Sequence, residues 1–146
     1  MSIQNALNTV IYSRLAGTAG TALSSLLSGG TASPSIYFEQ APDNAALPYV
    51  VWLFPSELDE NLIQHRMKNI VMRLYTVAGA AAQGGTIDAA IDTLLHGATL
   101  TFAGTPATWT SIWLRRENGY QLITTNEAGI RYFTSGADYR VELTKG

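Results

Sequence analysis

The chain has two histidines, His65 and His96, and no cysteine, so thiolate metal sites, disulfides and a cysteine nucleophile are excluded. A metal site would need these imidazoles together, and neither has a second ligand at the His-x-x-x-His spacing that puts two ligands on one helix face. His65 enters a strand pattern, and His96 ends a helical one, where an imidazole complements the negative end of the helix dipole. Asp88 and Asp92 are four residues apart and share a helix face, the arrangement by which paired carboxylates divide acid and base work. With His96 they could also serve a small hydrolase. The plainer expectation is a solvated face flanking the Ile and Leu stripe. There is no Gly-x-Ser-x-Gly elbow, and Gly84-Gly85 is not followed by Gly-Lys-Ser/Thr, so neither a serine nucleophile nor a phosphate loop is written here. Trp52, Trp109 and Trp113, interleaved with Arg115, Arg116 and Arg131, could stack single-stranded bases. A formal net charge of -2 and the lack of any longer basic cluster oppose that, and place the rings in the core and at protein interfaces. The expectation is no catalytic residue, no metal and no cofactor.

One local feature points to a partner. Glu57, Asp59 and Glu60 follow Pro55 and read as an acidic turn, and the next strand opens with His65, Arg66 and Lys68 and continues to Arg73. Either this is an ordinary solvated hairpin, or the acidic tip docks on the basic strand of a neighbouring subunit or on a further ring.

The elements that would carry these residues follow from periodicity. Ile3, Leu7, Val10, Ile11 and Leu15 recur at helical spacing after Ser2, and Gly17 or Gly20 ends the run. Leu23 to Leu27 is short and ambiguous before Gly29-Gly30. Ile36 to Glu39 is a short strand, and a Pro-rich connection leads to Tyr49 to Phe54, apolar on both faces as a covered strand is. Arg66 to Val77 alternates, with Ile70, Met72 and Leu74 on one side. Thr86 caps a helix whose Ile87, Ala90, Ile91, Leu94 and Leu95 form a stripe closed by Gly97. Strands follow at Thr99 to Phe102, Trp109 to Glu117, Tyr120 to Thr124 and Ile130 to Leu143, with Asn118-Gly119 as a hairpin turn and Gly136 as a bulge. The pattern predicts one α+β domain, residues 1-146, with helices packed on one face of a mostly antiparallel sheet.

Charged residues make up 14% of the chain, against roughly 25% in ordinary soluble chains, so part of the surface is expected to meet partners rather than water. No apolar run approaches a membrane span, and the N-terminus lacks a signal-peptide layout, which predicts a soluble product with no membrane partner.

The order of segments resembles the tail completion (tail terminator) proteins of long-tailed bacteriophages. The resemblance rests on the helix Ile3 to Leu15, and on Ser35-Ile36-Tyr37-Phe38-Glu39-Gln40-Ala41-Pro42 leading to Leu47-Pro48-Tyr49-Val50-Val51-Trp52. The strand Asn69 to Tyr75 and the helix Thr86 to His96, followed by Gly97, Ala98, Thr99 and Leu100, complete it. Gly84-Gly85 and Asn118-Gly119 depart from the pattern. The resemblance implies a non-enzymatic virion protein of the tail and neck, made in the host cytoplasm. It implies a ring, usually a hexamer, that caps the tail tube and joins it to the head connector or head completion protein, with viral DNA met only in passage. A head closure or minor tail protein at the same joint is the near alternative.

Overall fold

The computed structural model describes residues 3–62, 65–102, 109–125 and 128–145. The chain runs through helix α1 (Ile3–Ala16), a 3-10 turn (Thr18–Gly20), the single-turn α2 (Thr21–Ser24), strands β1 (Ile36–Phe38), β2 (Tyr49–Leu62) and β3 (His65–Ala78), helix α3 (Ala81–Leu95), and strands β4 (Trp109–Thr125) and β5 (Arg131–Lys145). The five strands form one sheet in the order β1-β2-β3-β5-β4, antiparallel except for the β1–β2 pair. The α+β architecture read from the sequence is the one found.

Leu7, Ile11 and Leu15 of α1 are fully buried one turn apart, as a stripe at i, i+4, i+8 requires, and Ile87, Ile91 and Leu95 do the same on α3. Both stripes meet Val50 and Trp52 of β2, Ile70, Met72 and Leu74 of β3, Leu114 of β4, and Ala137, Tyr139, Val141 and Leu143 of β5 in one core. Each of these side chains contributes about 1.5–3 kcal/mol by leaving water. Trp52 links the helix to the sheet edge, with its ring 5.7 Å from Tyr12 and 5.3 Å from Phe38.

The structure corrects several boundaries. β2 does not stop at Phe54 but runs on to Leu62, so Glu57, Asp59 and Glu60 lie in a strand rather than a turn. Pro55, which misled the reading, sits within the register shift between Leu53 and Ser56. Beyond Trp52 β2 is an edge strand, because β1 pairs only Val50 to Trp52, and an edge tolerates a residue without an N–H. Asn118-Gly119 is no hairpin: β4 continues through it, with a bulge between Arg116 and Asn118, and the chain reverses after Thr125, which pairs with Arg131. Residues Thr99 to Phe102 form no strand, although Leu100 is buried. Helix α3 starts five residues before Thr86, whose hydroxyl donates back to the Ala82 carbonyl instead of capping. Gly84 makes that early start possible, since a Cβ there would come 3.0 Å from the Ser135 hydroxyl.

Gly136 is in regular pairing, with Tyr75 on one side and Tyr120 on the other, rather than in a bulge. Leu23 and Leu27 are both buried, so the ambiguous second segment helps to roof the core.

Candidate functional site

Asp88, Asp92 and His96 are brought together, but not into solvent. Arg116 Nη2 donates to Asp88 Oδ2 at 2.8 Å, Tyr139 Oη donates to Asp92 Oδ1 at 3.2 Å, and the Arg116 main-chain N–H donates to His96 Nδ1 at 3.1 Å. Next to these, the Gly97 N–H donates to the Leu114 carbonyl at 2.8 Å. The seam fastens the second half of α3 to β4 and β5. Its groups are engaged with one another, so its chemistry is that of a clamp. The solvated face expected for the two aspartates is thereby corrected, because the bulge in β4 turns Arg116 toward the helix.

A stability effect follows that the sequence did not suggest. Asp88→Ala leaves the Arg116 guanidinium, whose side chain is 30% exposed, without its partner. The expected loss is about 2 kcal/mol, because a mostly desolvated charge is left unpaired. Urea unfolding of the variant checks it, and Asp88→Asn should lose less.

His65 is placed away from this cluster. Its backbone opens β3 opposite Leu62, whereas His96 lies against Arg116, which aligns through Tyr139 with Met72. Among the described residues no three His, Asp or Glu side chains converge as a metal site would need.

The charged residues read as an interface divide between two faces. Lys68 donates to Glu57 within the same chain and lies 5.9 Å from the Trp109 ring. The Asp59 backbone faces Lys68, Glu60 faces Met67, and Arg66 lies between Asn61 and Lys145. The side chains of Asp59, Glu60, His65 and Arg66 lie outside the described residues. Arg73 is apart from them, on the opposite face, where its Nε and Nη2 donate to the two Asp138 carboxylate oxygens at 2.9 and 3.3 Å. That hydrogen bond, with the charge of Asp138, holds the Arg73 pKa above its usual value.

The proposed base-stacking arginines are not gathered either. Arg115 lies over the Trp113 ring at 4.2 Å and Arg116 turns to Asp88, while Arg131 begins β5 beyond the helix-covered part of the sheet.

What the sequence reading missed is how the tyrosines are sorted. Tyr37, Tyr49, Tyr75, Tyr120 and Tyr132 alternate with core residues and fall on the sheet face turned away from the helices, around Val51 and Val77, which they help to bury. Tyr37 and Tyr49 meet edge to face at 6.0 Å. Burial pushes the Tyr49 and Tyr75 phenols up and takes Tyr120 up to about 12. The signal was present in the parity of these tyrosines along each strand, but could be read only once the register was known.

Helices on one face and a ringed, half-buried tyrosine surface on the other define an α+β subunit built to present surfaces to other proteins. The family model for tail completion protein gp17 matches residues 9–131, and the chain belongs to that family. It is therefore a structural, tail-associated phage protein of the virion, assembling with other structural proteins of the particle. Its fold is shared with a chain in the solved structure described as the virion of a native gene transfer agent (GTA) particle, with a TM-score of 0.70 and 21% identity over 97% of this chain and 98% of that one. No curated protein matches it.

Proposed function

We propose that this chain, acting as a single domain, caps the tail tube as a closed ring and forms the joint with the head connector. The observation that carries this reading is the family match across residues 9–131, supported by a fold with a covered face and a tyrosine-lined one. A ring subunit needs two different side surfaces that complement each other, because a heterologous contact closes only when its rotation divides a full turn. It also needs two axial surfaces for unlike partners. The far end of the β2–β3 hairpin, with Glu57, Asp59, Glu60, Arg66 and Lys68, is assigned to an axial contact with the tube or to the neighbouring subunit. Arg73, on the opposite face, is a separate contact point on the same protomer.

Six copies in one layer is the expected arrangement in the particle, with viral DNA passing through the channel and the subunits supplied from the host cytoplasm. Symmetry-resolved imaging of the head–tail joint tests it. A closed single-layer ring of this chain between tube and connector is the expected result. A lone copy, or a two-fold dimer burying the same patch on both partners, overturns the reading.

A further inference from the structure

The two edges of the sheet carry unlike surfaces that complement each other. At the β4–β5 edge, Leu122, Ile123 and Ile130 are 60%, 63% and 54% exposed, three of the six large apolar side chains most open to water among the described residues. Arg131, also exposed, follows directly. From Asn118 to Thr125 the edge strand has no charge, no proline and no bulge, so it lacks the devices by which proteins protect open edges. At the β1–β2 edge, a cleft opens between α1 and the sheet, lined by Asn5, Asn8, Phe38, Glu39, Leu53 and Phe54. Its walls are largely aromatic and aliphatic, and the buried Asn8 Oδ1 within it accepts no hydrogen bond.

Glu39 stands at the rim with φ of +66°, a left-handed backbone that a non-glycine residue adopts at a cost, and its N–H is held by the Trp52 carbonyl at 2.9 Å. Such strain is kept where the surroundings fix it, and here it fixes where a carboxylate stands.

We propose that the apolar β4–β5 tip of one copy of this chain inserts into the α1–β1–β2 cleft of the next, with Arg131 meeting Glu39 across the contact. This names the side contact of the ring and rests on that reading. Two observations select a second copy as the occupant. The charges at the two rims are opposite in sign, and the strand order β1-β2-β3-β5-β4 places tip and cleft on opposite edges. A copy that fills its neighbour's cleft still offers its own cleft to the copy behind it, as a head-to-tail contact requires. Leu122, Ile123 and Ile130 supply the desolvated centre, and the Arg131–Glu39 pair sets register.

The test uses two positions that are both exposed, so folding is not at stake. Glu39→Lys and Arg131→Glu should each lower the yield of joined particles about tenfold, and the double reversal should restore it, as coupled charge pairs do. Because the chain has no cysteine, a Glu39→Cys, Ile123→Cys variant gives an independent readout. Mild oxidation of particles should produce a ladder of covalent oligomers, absent from either single cysteine variant. A ring seen by imaging together with no ladder and unaffected single reversals overturns this contact and leaves the ring standing. A ladder without a closed ring supports the contact and defeats the ring. Absence of both removes the two together.

Discussion

Gly136→Val is expected to destabilise the protein by about 3 kcal/mol, at the upper end of what overpacking a filled site does. A Cβ at this position would stand 2.1 Å from the Leu74 carbonyl oxygen and 2.7 Å from the Tyr75 Cα, both main-chain atoms of the adjoining strand. Main chain held in a ladder on both sides cannot move aside as a flexible side chain can. The glycine also leaves the space in which Tyr75 and Tyr120, its partners on either side, cover the sheet. For a domain of this size the loss corresponds to a melting temperature lower by roughly 10 °C. Gly79 is the control. A Cβ there meets nothing within 4 Å, so Gly79→Ala should leave stability within about 0.5 kcal/mol or raise it slightly. Thermal melts of the two variants beside the unaltered protein decide the matter, and equal losses would mean that the close approach at Gly136 is not what the sheet depends on.

The second large effect is an alkaline one. Burial raises the phenol pKa of Tyr49, Tyr75, Tyr120 and Tyr139, with Tyr120 reaching about 12 and Tyr139 going higher, where the Asp92 carboxylate adds to the burial. In the unfolded chain all four ionise near 10. Between those values the unfolded state binds fewer protons than the folded one, so stability is whole below about pH 10 and falls as pH rises through the folded values. Each tyrosine that ionises only on unfolding steepens the fall by about 1.4 kcal/mol per pH unit. Urea titrations from pH 9 to 12, followed by tyrosinate absorbance, should show ionisation of this group coinciding with unfolding. Tyr120→Phe should flatten the slope. Smooth ionisation near pH 10 in a protein that stays folded would show that the tyrosine face is open to water.

How far the sequence could be read depends on the range of the interactions that set each element. The stripes of α1 and of α3 from Ile87 to Leu95 are local patterns, and they were legible because burial at i and i+4 needs only one helix and one core. The alternation of β3 was legible for the same reason. Asn118-Gly119 carries a true local preference for a tight turn, but β5 pairs along both sides of it, with Asn118 opposite Asp138 and Gly119 opposite Ala137, and long-range pairing outweighs it. Pro55 and the acidic residues after it look like a loop in isolation. They form a strand because β3 offers a continuous partner as far as His65. The start of α3 was hidden because Gly84-Gly85 lowers helix propensity, while the close packing of Gly84 on Ser135 that favours the helix lies about fifty residues away in sequence.

The candidate sites were legible by residue type and not by partner. Asp88, Asp92 and His96 were picked out together, yet Arg116 and Tyr139, which give them their role, come from strands whose register the sequence does not state. Lys68 and Glu57 were read as halves of a contact between subunits, and the structure joins them within one. The low charge fraction and the wealth of aromatics correctly pointed to protein partners.

The position of β5 between β3 and β4 has a consequence for the order of events on the ribosome. Chains emerge from the N-terminus at about 5–20 residues per second, and domains fold as their parts become available. Here β3 waits with one side unpaired while α3 and β4 are made, and β4 has no strand to join until residues 131–145 have been synthesised. The central seam of the sheet is therefore closed by the strand made last. Gly136 is added late, so the tyrosines of β1, β2 and β3 exist for the whole of that interval without the surface they later form. A partly made chain thus lacks both the tip and the tyrosine face, and cannot compete with finished subunits for places on a growing tail.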